Sequence, residues 1–494
     1  MKKTIVSFVV ILFALLSYSI FIFFSSENQS DYKEPKLSDY SSANQNIYEE
    51  SQLNDWDLAI IRLNNLSNDD FLYDFEYLIN TLEDNWPFFN IANELNDVSM
   101  NELANNIRNK LTDTNFNIGS AHDFNSFLLE NFFIPIGWLG HLQSVWNYND
   151  FFDHKTQLEH ASRRSSRISF EGTSYEDMFS LETLVFYDSL REQSLQNGES
   201  NNDAIYTPVV ETAILVENEI AMITINSMIH AEWDPGIHRR EGWAVPGWGR
   251  YERILYNFFN SIEGYEHLII DLRNNPGGVH SHFDTFITGR LLNEQIYLPS
   301  FIFYLNKETA TEARNNRKLN HFLLWNEVMT EINQENIYQN LQLPYLDASL
   351  NFEYALKSSY HSSPLNQIKC PNGWGFMWAS ADGSTTFDGQ VWILVNERTG
   401  SGAEAVTAML KYNNIAVVVG EATAGIFGTT YDNPIIAVSL PNTGILVYFY
   451  TGYFTDMQGH PFEGFGIQPH YFNLPNMDAL ETVLTIINER RNFQ

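Results

Sequence analysis

From about residue 209 onward the chain alternates two spacings of apolar residues. The runs Ile220 to Ile225, His267 to Leu272, Gln390 to Val395 and Ile415 to Val419 read as strands, while Tyr251 to Ser261, Phe283 to Leu292 and Ala403 to Tyr412 repeat apolar positions at helical spacing. Strands alternating with helices predict an α/β core over 209–494, with a mainly parallel sheet flanked by helices. Residues 301–388 interrupt the alternation with a helical pattern of their own near His321 to Ile332 and read as an insertion. Further upstream, Phe71, Phe75, Leu78 and Leu82, then Leu103 and Ile107, then Phe124, Phe127 and Leu128 fall at helical spacing and predict a small helical domain over 68–150. Pro135, Gly137 and Gly140 break that pattern and deliver His141 on a loop. The mixed, polar stretch 151–208 is a connecting segment of unknown role.

The first 60 residues differ in kind. Lys2 and Lys3 precede an uncharged apolar stretch, Thr4 to Phe24, so residues 1–26 read as a signal peptide or a membrane anchor. About 20 apolar residues span a bilayer, which favours the anchor, and the lysines on its near side predict that the body is exported. Residues 27–60, rich in Ser, Asn, Asp, Glu and Tyr, read as a flexible stalk. Cys370 is the single cysteine and forms no internal disulfide. The 61 acidic against 28 basic residues give a net charge of −33, which argues against nucleic acid as a partner. The same excess fits a soluble exported surface or a preference for basic substrates.

Candidate chemistry concentrates at two glycine turns. Ser401 lies in Thr399-Gly-Ser-Gly-Ala-Glu404, between a strand and a helix, where a small hydroxyl stands beside unpaired helix N-terminal N–H groups. Such groups can stabilise an oxyanion. The strand ending at Leu272 runs into Arg273-Asn-Asn-Pro-Gly277-Gly278, whose glycines allow close backbone approach.

Asp271-Leu-Arg-Asn-Asn-Pro-Gly-Gly278, Thr399-Gly-Ser-Gly-Ala-Glu404 and Val418-Val-Gly-Glu-Ala-Thr-Ala-Gly425 together resemble the tail-specific (C-terminal-processing) and tricorn-core serine peptidases. Phe71 to Ile79, Gly140-His-Leu142 and Phe462-Glu-Gly-Phe-Gly-Ile-Gln-Pro469 extend the resemblance over roughly residues 68 to 485. It implies a ClpP/crotonase-like core, a peptide or protein substrate, and neither cofactor nor metal. The short 151–208 stretch argues against the PDZ module that some relatives carry. In the tail-specific branch a lysine 25 positions after the serine is the base, and here that position is Ile426. The tricorn-like branch uses a histidine and a late glutamate, which match His141 and Glu463. The resemblance therefore implies Ser401 as nucleophile, His141 as base and Glu463 as its orienting carboxylate, with Gly402 and Gly277 or Gly278 as oxyanion donors. Asp271 and Arg273 are expected to brace their turn, and Trp243, Trp248 and Tyr251 to line a cleft or simply pack. His280, His282 and Lys411 are rival bases.

Two further readings compete. Gly400-x-Gly402-x-x-Ala405, with Glu421 19 residues after Gly402, fits a dinucleotide-binding fingerprint, although Asn396 to Thr399 intervene before the first glycine. A catalytically inactive binding protein or an esterase could use the same fold. Neither the oligomeric state nor the cleavage specificity is written in the pattern.

Overall fold

In the computed structural model the described residues are 54–96, 99–145, 168–169, 180–196, 209–228, 248–278, 283–292, 296–305, 354–362, 387–427, 435–456 and 458–491. Four central strands run parallel in the order Ile220–Ile225, His267–Asp271, Gln390–Val395, Ala416–Gly420. Tyr471–Phe472 adds a parallel edge beside Ala416–Gly420, and Val210–Val216 closes the other edge antiparallel to Ile220–Ile225. Side chains alternate between two covered faces. Leu268, Ile270, Val391, Ile393 and Val418 share a core with Leu255, Phe259, Val406 and Met409 of the helices Trp248–Ser261 and Gly402–Tyr412. Ile220, Ile269, Trp392, Leu394 and Val419 face Val483 and Ile487 of the C-terminal helix Ala479–Arg491. With both faces covered, the strands read as near-continuous apolar runs. The segment 283–292 is irregular, a π-turn Asp284–Thr288 followed by the short helix Gly289–Leu291.

Helices Asn68–Asn85, Met100–Thr112 and Ala121–Leu128 begin at Ser67, Ser99 and Ser120, each hydroxyl accepting from an N–H of the first turn. Phe71 stacks on Phe124 at 4.7 Å and Phe75 meets Phe132 edge-on at 5.5 Å. Their core does not close on itself. It continues into Ile436, Val438, Leu446, Val447 and Phe449 of the antiparallel strands Ile435–Ser439 and Leu446–Tyr450. Buried Asp74 fastens the two regions by accepting from the N–H of Asn442 and Thr443, the Asn442 amide and the Thr443 hydroxyl. The helical region is thus one half of a core whose other half lies some 360 residues later in the chain, by the separation of Asp74 from Asn442 (368).

Two expected boundaries differ. Helix Asp55–Leu63 begins inside the segment read as stalk, burying Ala59 and Leu63. Strand Ile296–Tyr304 crosses position 301 and pairs with both Tyr354–Ser362 and Tyr453–Thr455, which ties the start of the insertion into a three-stranded sheet. The helix expected near His321 to Ile332 lies outside the described residues.

Candidate active site

Parallel register sets the site. Asp271 lies opposite Leu394, so their strands end level and the following turns meet. The Gly400 N–H donates to the Asn275 carbonyl at 2.9 Å, and the Thr399 hydroxyl to the Leu272 carbonyl at 2.8 Å. Gly277 has φ +98°, and a Cβ there would lie 2.5 Å from the Gly400 carbonyl and 2.7 Å from Ser401 Cβ. Only glycine lets the turns come this close. Ser401 itself has φ +49° and stands 9% exposed at the head of helix Gly402–Tyr412. A non-glycine residue in this conformation is strained.

Glu404 holds that turn in place. Fully buried, it accepts from the Ser401 N–H at 3.0 Å and the Ile426 N–H at 2.9 Å through Oε2. Its Oε1 accepts from the Gly425 N–H at 2.8 Å and the Thr423 hydroxyl at 2.5 Å. Burial raises its pKa to about 7 even though all four donors pull downward. Ser401 lies three residues before Glu404, and the other three donors lie 19 to 22 residues after it.

His141 reaches the site from the helical region. After Ile134–Ile136 the chain turns at Gly137 (φ +68°) and Gly140 (φ +57°), where a Cβ at Gly140 would run into the Phe88 and Trp86 rings. His141 Nε2 then lies 3.3 Å from Ser401 Oγ, across 260 residues of sequence. Dense packing around the half-buried ring lowers its pKa to about 4 through desolvation.

Glu463 is buried beside them, but it does not bond the imidazole as expected. Its Oε1 accepts from the Gly140 N–H at 2.5 Å, and His141 Nδ1 is buried with no hydrogen-bond partner among the described residues. Glu463 therefore holds the loop that carries the histidine.

One oxyanion candidate drops out as well. The Gly277 N–H donates to Asn275 Oδ1 at 2.9 Å and closes the turn, whereas no hydrogen bond among the described residues takes up the N–H of Gly278 or Gly402. Asp271 and Arg273 brace the turn as expected, the guanidinium bonding both Asp271 oxygens and Asp478. Ile426 packs where the alternative lysine would stand, its side chain against Gly400. Lys411 donates to the Gln468 carbonyl at 2.6 Å, near the far end of its helix. His280, His282 and Trp243 lie outside the described residues, as do the side chains of Trp248 and Tyr251. The dinucleotide reading fails on charge, because the Glu404 carboxylate already occupies the helix N-terminus where a pyrophosphate would sit.

Residues 219–472 match the model of peptidase family S41, and the chain belongs to that family. A curated protein of Chlamydia trachomatis serovar D is 25% identical over 236 residues, 46% of this chain and 36% of the relative; one of Chlamydia muridarum is 25% identical over 229 residues, 46% and 37%. The chain thus spans little more than a third of the length of these relatives. Among solved structures, mature CPAF is similar at 16% identity over 83% of this chain and 93% of that one, with a TM-score of 0.46. A lipoprotein from Streptococcus agalactiae is similar at 14% identity, covering 86% and 98%, with a TM-score of 0.36.

Because Gly140 donates to an oxygen that a glutamine can also present, Glu463→Gln is expected to keep phosphonylation of Ser401 by a fluorophosphonate within about tenfold of the unaltered rate. Glu463→Ala removes the acceptor and is expected to slow it by about 100-fold, since small misplacements of a catalytic group cost that much. Equal damage from both changes would return Glu463 to a role that needs its charge at the imidazole.

Proposed function

We propose that the chain is an exported serine peptidase in which Ser401 is the nucleophile and His141 its base. The observation that carries this reading is the 3.3 Å approach of His141 Nε2 to Ser401 Oγ at a strained strand-to-helix turn. A serine hydroxyl is a poor nucleophile until a base takes its proton. As Oγ attacks the carbonyl carbon, its proton passes to Nε2, and the oxyanion faces the N–H groups of Gly402 and Gly278. Collapse expels the amine with the proton returned from Nε2, leaving an acyl-enzyme. Water then repeats the sequence with His141 as base. Each oxyanion donor contributes about 100- to 1,000-fold in rate.

A base works in its neutral form. Burial depresses the imidazole pKa to about 4, so His141 stays competent well below the pH at which an ordinary histidine charges. For stability the sign is the same, since a depressed histidine contributes stability above its ordinary pKa of about 6.5 that is lost as pH falls through about 4. Glu404, raised to about 7, takes a proton first. Thr423 absorbs it, because its hydroxyl can reverse and accept from a protonated Oε1 while Oε2 keeps the Ser401 N–H.

Fluorophosphonate labelling should therefore persist at pH 5 to 6 and fall with a midpoint about pH 4, close to the depressed imidazole value. Ser401→Ala should abolish both labelling and peptide hydrolysis in a protein with unchanged circular dichroism. Labelling that survives this change would move the nucleophile elsewhere. A folded native chain that never labels would be a binding protein on the same fold, and one that cleaves esters but not peptides an esterase.

Export and tethering rest on the sequence of residues 1–60. A full-length form that stays in the membrane pellet after high salt supports an anchor, because salt screens charge contacts and not apolar burial. Full-length protein confined to the cytosol would overturn export, and a shorter form in the medium would replace the anchor by a cleaved signal.

A further inference from the structure

A histidine base needs its ring held so that one chosen nitrogen faces the serine, and a carboxylate at the other nitrogen commonly does this. Here His141 Nδ1 is buried without a hydrogen-bond partner among the described residues, while Glu463 is engaged with the Gly140 amide. Something else must set the ring. Tyr450, the last residue of strand Leu446–Tyr450, lies against the imidazole with ring centroids 4.8 Å apart and planes 73° apart. That strand is anchored on both sides, by Ile435–Ser439 and by Gln143–Ser144, and the latter begins two residues after His141. Gln143 pairs with Tyr448. The histidine loop and the tyrosine are therefore fixed by the same short ladder.

Resting on the peptidase reading above, we propose that Tyr450 is a positioning residue, an aromatic wall that replaces the carboxylate–imidazole hydrogen bond. A perpendicular aromatic pair is a favoured, directional contact. It blocks the half-turn of the imidazole that would exchange its two nitrogens, and it keeps water from Nδ1. The proton then stays on Nδ1, leaving the Nε2 lone pair toward Ser401. The Tyr450 hydroxyl makes no hydrogen bond among the described residues, so the ring and not the hydroxyl carries the role. Burial, with the Glu463 charge adding to it, raises the pKa of that hydroxyl.

The test compares the full chain with Tyr450→Phe and Tyr450→Ala by two readouts, the rate of Ser401 phosphonylation and the His141 tautomer from imidazole 15N shifts at pH 7. Tyr450→Phe should match the unaltered protein in both. Tyr450→Ala should label roughly 10- to 100-fold more slowly, the range expected for a misplaced catalytic group, and should give mixed tautomers. Its peptide KM should stay close to the original while kcat falls. An alanine variant that keeps the single tautomer and the original rate overturns the proposal, as does a phenylalanine variant as impaired as the alanine one. Should Tyr450→Ala fail to fold, Tyr450→Leu takes its place with the same expected outcomes. If the unaltered protein does not label at all, the peptidase reading fails, and the tautomer comparison still decides what Tyr450 does.

Discussion

One buried carboxylate, that of Glu404, organises the turn that carries Ser401. Its two oxygens gather the backbone of Ser401 and of the loop after strand Ala416–Gly420, so two chain segments that each end at the sheet's carboxyl edge become one rigid surface. Burying an ion is costly, which is why its pKa rises to about 7, and the four donors only partly offset that cost. A carboxyl whose folded pKa is raised contributes stability that is fully present below its ordinary range of about 4.3 and is lost as pH rises through about 7. The site therefore spends folding stability at neutral pH to hold Ser401 in a backbone conformation that serine otherwise avoids.

The second constraint is the shared core. His141 is delivered by a helical region that has no closed interior of its own, and its place opposite Ser401 depends on Phe71, Phe75 and Leu82 packing with strands formed near residues 436–449. Asp74 adds directional bonds to that apolar contact. Strain accumulates where the halves meet, since His141 (φ +54°) and Ser401 (φ +49°) both have left-handed backbone. Local disfavour of this kind persists only when the surroundings over-determine it, and here a Gly-to-Gly contact, a capping carboxylate and a glutamate on the Gly140 amide do so.

Much of this was legible in the pattern of residues. The four parallel strands, the turn around Ser401 and the arrival of a loop at His141 follow from spacing and glycine placement, because each is a local property. What escaped was set by contacts between distant segments. Nothing near Glu463 says that it would bond the Gly140 amide across 323 residues and leave Nδ1 bare. Gly277 and Gly278 look equivalent in sequence, yet Asn275 takes the amide of the first alone. The helical pattern likewise announced its helices but not that their missing half-core lies in Ile435–Ser439 and Leu446–Tyr450.

The rate at which a fluorophosphonate modifies Ser401 in Glu404→Leu and Glu404→Gln tests the central role of the buried carboxylate. Glutamine still offers Oε to the Ser401 and Ile426 N–H groups and can donate to Thr423, losing only the acceptor of the Gly425 N–H, so it should label within about tenfold of the unaltered rate. Leucine fills a similar volume and accepts nothing, and a folded Glu404→Leu protein should label about 100-fold more slowly or worse. Labelling of Glu404→Leu at the unaltered rate would contradict the account.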